Sequence, residues 1–190
     1  MGTQNRSVSL KIKRIKRLSR SKNKLKSILQ FSRTPEEHTN NMKIEIDQSG
    51  KIENTSKHTY LAFSDHQHFV LKISSVEKRK LQKYFRAVGK PKLFIYLTFA
   101  ALIILLLKNF KSKHYQAIVD VEYPGRNNLI KSFIKLYGQG LSIKDISFHQ
   151  IGKKSRAHYL ASGTAIKKLS PDMIVNAKQV LKIIRKSGSA

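Results

Sequence analysis

The segment Gln116 to Glu122 is almost continuously apolar until Asp120 interrupts it. A strand with that pattern is buried on both faces, which demands helices above and below a sheet and predicts an α/β domain. A second strand-like run, Lys43 to Ile52, alternates: Ile44 and Ile46 point one way, Glu45 and Asp47 the other. Asp120 and Glu122 alternate in the same manner against Val119 and Val121. Carboxylates converging from neighbouring strand ends repel each other unless a cation lies between them, and hard oxygen ligands of this kind suit Mg²⁺ or Mn²⁺. The central expectation is therefore a cation pocket shared by Asp47, Asp120 and Glu122. The plainer alternative for each acid is a strand-end carboxylate paired with Lys or Arg.

The other elements follow from periodicity and punctuation. Lys43 to Ile52, Thr59 to Ser64 and His68 to Ser74 read as three strands, close enough together to start the sheet antiparallel. Val76 to Ala87 reads as a basic helix, Gly89-Lys90-Pro91 breaks it, and Leu93 to Phe110 forms a second, very apolar helix. After the fourth strand, Pro124-Gly125 turns the chain. Asn127 or Asn128 can then cap a helix over Leu129 to Tyr137, which Gly138 and Gly140 end. Asp145 to Ile151 gives a fifth strand, with Asp145 itself read as a turn or cap residue. Two helices close the chain, around Ser155 to Leu169 and Pro171 to Arg185. The predicted order is β-β-β-α-α-β-α-β-α-α.

The chain carries thirty-eight Lys and Arg against eleven acids, a formal charge of +27. So large an excess points to a polyanionic partner, nucleic acid (DNA or RNA) before an anionic membrane surface. Residues 1–41 hold +9 of it and residues 42–190 the remaining +18. The first 41 residues read as a basic arm, flexible or helical, ending in the polar linker Arg33 to Asn41; residues 42–190 read as the folded domain. With no cysteine there is no disulfide framework, thiolate zinc site or thiol nucleophile. That fits a reducing compartment, and with no secretory signal visible the expected location is cytoplasmic. No phosphate loop is present, since Gly152-Lys153-Lys154-Ser155 lacks the upstream glycine, and no Gly-x-Ser-x-Gly elbow supports a serine hydrolase. His66 and His68 lack a third ligand at metal spacing and read as loop histidines.

The element order, together with Ile44-Glu45-Ile46-Asp47-Gln48-Ser49-Gly50 and an acid at Asp120 on the fourth strand, resembles the ribonuclease H-like superfamily, which includes the Holliday-junction resolvases. The resemblance covers roughly residues 43 to 170. It implies a five-stranded mixed sheet whose first three strands are antiparallel, flanked by helices, with catalytic acids on the first strand, the fourth strand and nearby helices. It further implies a nuclease that uses Mg²⁺ or Mn²⁺: Asp47 bridging two ions, Asp120 binding one, and Glu122 extending or replacing it. A family acid on the helix after the third strand has only Glu77 to match it, without supporting motif. The last family position, an Asp or His at the start of the closing helix, falls on His158, with Ser155 as the cap. Such a histidine taken alone is more often structural. Lys153, Lys154 and Arg156 would meet phosphates beside it, and Arg126, in the loop after Glu122, is a further contact candidate. Resolvase-like members often act as dimers, so a homodimer is the implied assembly.

Two rival readings are kept. A basic nucleic-acid-binding protein without chemistry accounts for the charge but not for acids gathered at strand ends. A membrane anchor through Leu93 to Leu107 accounts for fifteen uncharged residues between Lys92 and Lys108. As a helix that stretch rises about 22 Å at 1.5 Å per residue, short of the hydrocarbon core of about 30 Å, which favours a buried core helix.

Overall fold

In the computed structural model, which describes residues 42–185 apart from His66 and Ser142, the sheet is built around β1 (Lys43–Ser49). Strand β1 pairs antiparallel with β2 (Thr59–Ser64), and β2 antiparallel with β3 (His68–Ile73). On its other side β1 lies parallel to β4 (Tyr115–Asp120), which is in turn parallel to β5 (Ile143–His149). A short β6 (Met173–Val175) runs parallel to β3, giving the order β5-β4-β1-β2-β3-β6. The arm and linker expected over residues 1–41, and His66, lie outside the described residues; His68 opens β3 and is exposed.

Alternation along the strands divides the core. Ile44, Ile46, Leu61, Phe63, Leu71, Ile73, Ala117 and Val119 face one side, under helices α1 (Ser75–Ala87), α2 (Phe94–Leu107), α3 (Asn127–Tyr137) and α5 (Ala177–Arg185). The other side is covered by α4 (Arg156–Ala165), whose Leu160 and Ala161 pack on Ala62 and Val70. Glu45 and Asp47 belong to this thinly covered face, because Asp47 stands opposite Ala62 in the register. The sheet thus keeps its apolar load on the four-helix side and its carboxylates beside one helix.

Helix α2 settles the place of the apolar stretch. Eleven of its fourteen residues are buried, Leu102, Ile103, Ile104 and Leu106 completely, and they belong to the main core. Among the described residues no helix is long and apolar enough to cross a membrane. A helix apolar on every side fits the centre of a layered protein, where α3 and α5 cover the face that the sheet does not.

Several boundaries differ from expectation. Among the described residues the sheet has six strands, not five: Met173–Val175 is a strand, and the helix expected from Pro171 starts at Ala177. Asp172 explains the difference, since its carboxylate accepts from the Val70 amide at 2.7 Å and its own amide donates to the Val70 carbonyl at 2.8 Å. That exchange clamps Met173-Ile174-Val175 to the free edge of β3. Asp145 lies inside β5, opposite Gln116 and paired with Lys131 at 3.1 Å, and is not a cap. Helix α3 begins at Asn127 with Arg126 in the cap position and no side-chain cap, so neither asparagine caps it. Strand β4 ends at Asp120, leaving Glu122 in the turn beyond it, with its amide donating to the Asp120 carbonyl at 2.9 Å.

Candidate metal centre

Parallel pairing carries two strands to the same edge of a sheet. With Ile46 beside Val119, the next residues on β1 and β4 are Asp47 and Asp120, and both side chains emerge on the face that α4 covers. Glu122 reaches the same spot from the turn. One carboxylate oxygen from each of Asp47, Asp120 and Glu122 lies within 4.8 Å of the other two. Asp47 is 4% exposed and the side chain of Glu122 only 12% exposed.

Each acid has its own support. Ser155 caps α4 by accepting from the Ala157 amide at 3.1 Å and donates its hydroxyl to Glu45 at 2.6 Å, which docks the start of the helix onto β1. One turn later His158 brings Nδ1 to 2.9 Å from Asp47 Oδ2. Asp120 accepts the Ile151 amide at 3.0 Å, from the segment leaving β5. Glu122 pairs with Lys51 at 3.0 Å, and the same ammonium donates to the Glu122 carbonyl at 2.8 Å.

The electrostatics are those of a crowded anionic pocket. Burial pushes the Asp47 carboxyl above its ordinary value; the backbone bond at Gln48 and the neighbouring His158 pull it back, while Asp120 pushes it up again. Burial likewise raises Glu122, Lys51 opposes, and Asp47 and Asp120 add to the rise. A cation would relieve Asp47 and Glu122, whose ionisation burial and neighbouring carboxylates hinder, and an all-oxygen donor set favours a hard one. Asp47, Asp120 and Glu122 can hold a metal ion on this geometry.

The remaining candidates are placed as follows. His158 joins the cluster through Asp47. Lys153 and Lys154 are exposed in the loop before α4, and Arg156, exposed at its first position, directs its guanidinium at the Asp65 carbonyl, 3.5 Å away. Arg126 is exposed before α3, with its guanidinium 5.6 Å from the Tyr96 ring. Glu77 is not in the pocket. Its amide is capped by Ser74, and its carboxylate pairs with Lys80 at 2.6 Å and accepts the Ala177 amide at 2.7 Å, capping α5.

Sequence reasoning missed Lys51 and Lys78 and gave Glu45 no part in the site. Nothing in the linear pattern marks Lys51, whose partner is 71 residues away. Lys78 did leave a signal: it shares the three- and four-residue spacing of Leu81 and Phe85, the buried face of α1. No protein-family model, curated protein or solved structure matches this chain.

Proposed function

We propose that this protein is a divalent-metal-dependent nuclease of the ribonuclease H-like type, cleaving phosphodiester bonds in nucleic acid. The observation that carries the reading is the convergence of Asp47, Asp120 and Glu122 within 4.8 Å, at the ends of parallel neighbours β1 and β4. Few acids occur in a chain of charge +27, and three of them meet there. The antiparallel β1-β2-β3 followed by parallel β4 and β5 supports the resemblance, with β6 as an addition to it.

A bound Mg²⁺ or Mn²⁺ supplies Lewis-acid stabilisation of the phosphate oxygens and a more acidic water. The chain's own residues do the rest. Asp47, buried and held by His158, would be the fixed ligand, with Asp120, tied to Ile151, beside it and Glu122 completing the set from the turn. His158, with 38% of its side chain exposed, is the group of this cluster that faces both the buried ligand and solvent. Lys153, Lys154 and Arg156 flank it and offer charge to phosphates on either side of the cut, where backbone contacts orient the strand without reading sequence.

The test is cleavage of branched DNA, RNA–DNA hybrid and single strands with Mg²⁺ or Mn²⁺, comparing the native chain with Asp47→Asn. Metal-dependent cutting that the substitution abolishes is the expected result. Nucleic-acid binding with no cut under any of these conditions would instead identify a non-catalytic binder.

A further inference from the structure

Lys78 is completely buried, in a helix face shared with Leu81 and Phe85. Among the described residues no carboxylate lies at hydrogen-bond distance from its ammonium. It donates to the Lys51 carbonyl at 2.8 Å, the Asn54 carbonyl at 2.7 Å and the Thr59 hydroxyl at 2.8 Å. Three N–H groups thus meet three acceptors. A methionine would fill similar volume without desolvating a charge, so a cation here is expensive unless the geometry it enforces matters. That geometry is the path of residues 51–54, which leave β1 after Gly50.

The path leads to the candidate metal centre. The Lys51 carbonyl is held by Lys78, while the Lys51 ammonium grips both the side chain and the carbonyl of Glu122 and lies 5.3 Å from the centre of the Tyr123 ring. Next to it, the Ile52 amide donates to the Tyr123 hydroxyl at 3.2 Å. Glu122 needs this grip more than its neighbours do. Asp47 and Asp120 are fixed by their strands, whereas Glu122 sits beyond the end of β4 and faces two carboxylates that repel it.

We propose that Lys78 and Lys51 act in series as positioning residues: the buried ammonium sets the loop, and the loop's lysine holds Glu122 against Asp47 and Asp120. This inference rests on the metal-dependent reading above, and it makes a residue inside α1 a determinant of cation affinity. On this assignment neither lysine is a ligand; each acts through Glu122.

The experiment is Mn²⁺ titration of the full-length chain by calorimetry, for the native protein, Lys51→Met, Lys51→Arg, Lys78→Met, Glu122→Gln and Lys78→Met combined with Glu122→Gln. Lys51→Met and Lys78→Met should each weaken Mn²⁺ binding by about 10- to 100-fold, the usual loss when a ligand's supporting group is removed. Lys51→Arg should restore most of it, and the double variant should bind no more weakly than Glu122→Gln alone. A purely structural role would not produce that non-additivity. Should Lys78→Met fail to fold, Lys51→Met carries the test, since its side chain is 52% exposed. If Glu122→Gln weakens Mn²⁺ while Lys51→Met binds it as tightly as the native chain, or more tightly, the inference is overturned and the metal reading stands. If the native chain binds no Mn²⁺, the metal reading falls and this inference with it.

Discussion

Asp47 pays for its position in protonation. A carboxyl raised on folding contributes stability that is complete below its ordinary value of 3.8 and is lost as pH rises through the folded value. Glu122 has the same sign, so both groups' contributions to stability fall as pH rises through their folded values. Two results follow for thermal melts at pH 7.5. Mn²⁺ at 100 times its dissociation constant should stabilise the fold by about 2.7 kcal/mol, raising the midpoint by roughly 5–10 °C at this size. Asp47→Asn should abolish that rise while leaving the metal-free midpoint unchanged or higher; a clear fall would mean that the pocket's repulsion is negligible. Lys78 titrates in the opposite sense. Burial pushes it down to about 8 from 10.5, so the unfolded chain binds more protons between those values and this group's contribution to stability grows with pH across them. Tyr115, pushed up to about 12, works against folding above pH 10, which sets the useful window at pH 8 to 10. Denaturant midpoints of the native chain relative to Lys78→Met should rise through that window, and a flat difference would sink the assignment. Asp47 and Asp120 were legible because strand alternation is a local rule that puts each acid on the face opposite its apolar neighbour, Ile46 and Val119. Lys51 was not, because its role exists only once the loop after β1 is folded against the turn after β4.

Elements were legible where their pattern is self-contained and less so where an edge decides. Strand β2 reads directly as Thr59–Ser64, and α2 reads as apolar on all sides, hence buried. Leu102→Ala should therefore cost about 2–5 kcal/mol in chemical denaturation, as for any large-to-small change in a packed core; a loss below about 0.5 kcal/mol is the mark of a surface residue instead. Strand β6 was not legible, since three β-branched or flexible residues become a strand only because β3 has a free edge and Asp172 fastens them to it. The start of α5 carried a readable signal that the longer helix assignment overrode. Asn176 accepts the Gln179 amide at 3.0 Å while Gln179 accepts the Asn176 amide at 2.9 Å, a reciprocal capping box. The hinge between β1 and the Lys51 loop depends on Gly50, whose φ of +82° is left-handed and whose missing Cβ would strike the His58 carbonyl. Gly50→Ala should destabilise by at least about 1–2 kcal/mol on backbone grounds alone, and because the loop positions Glu122 it should weaken Mn²⁺ binding as well.

At the scale of the whole molecule, the acids and the charge excess are parts of one electrostatic design. On the proposed nuclease reading, a charge of +27 would account for association with a polyanion but gives no reason for cutting at one place. On that reading the site would supply the reason by inverting the local sign: the buried anionic pocket of Asp47, Asp120 and Glu122 would draw a divalent cation to one point, and a phosphate of a bound strand would approach that point only with the cation present. Attraction and chemistry are thereby separable. Asp47→Asn should remove cleavage and leave affinity for nucleic acid unchanged or slightly improved, since one negative charge facing the phosphates is gone. Alanine at Lys153, Lys154 and Arg156 should do the reverse. Each removed phosphate contact lowers the slope of log affinity against log salt concentration by about 0.9 on duplex DNA and about 0.7 on a single strand. The triple variant should bind more weakly at low salt, respond less steeply to added salt, and retain the metal-induced rise in melting temperature. A salt slope identical to that of the native chain would remove those three residues from the interface and move the contact to other lysines, whereas loss of the metal response in the triple variant would show that the loop before α4 supports the pocket itself.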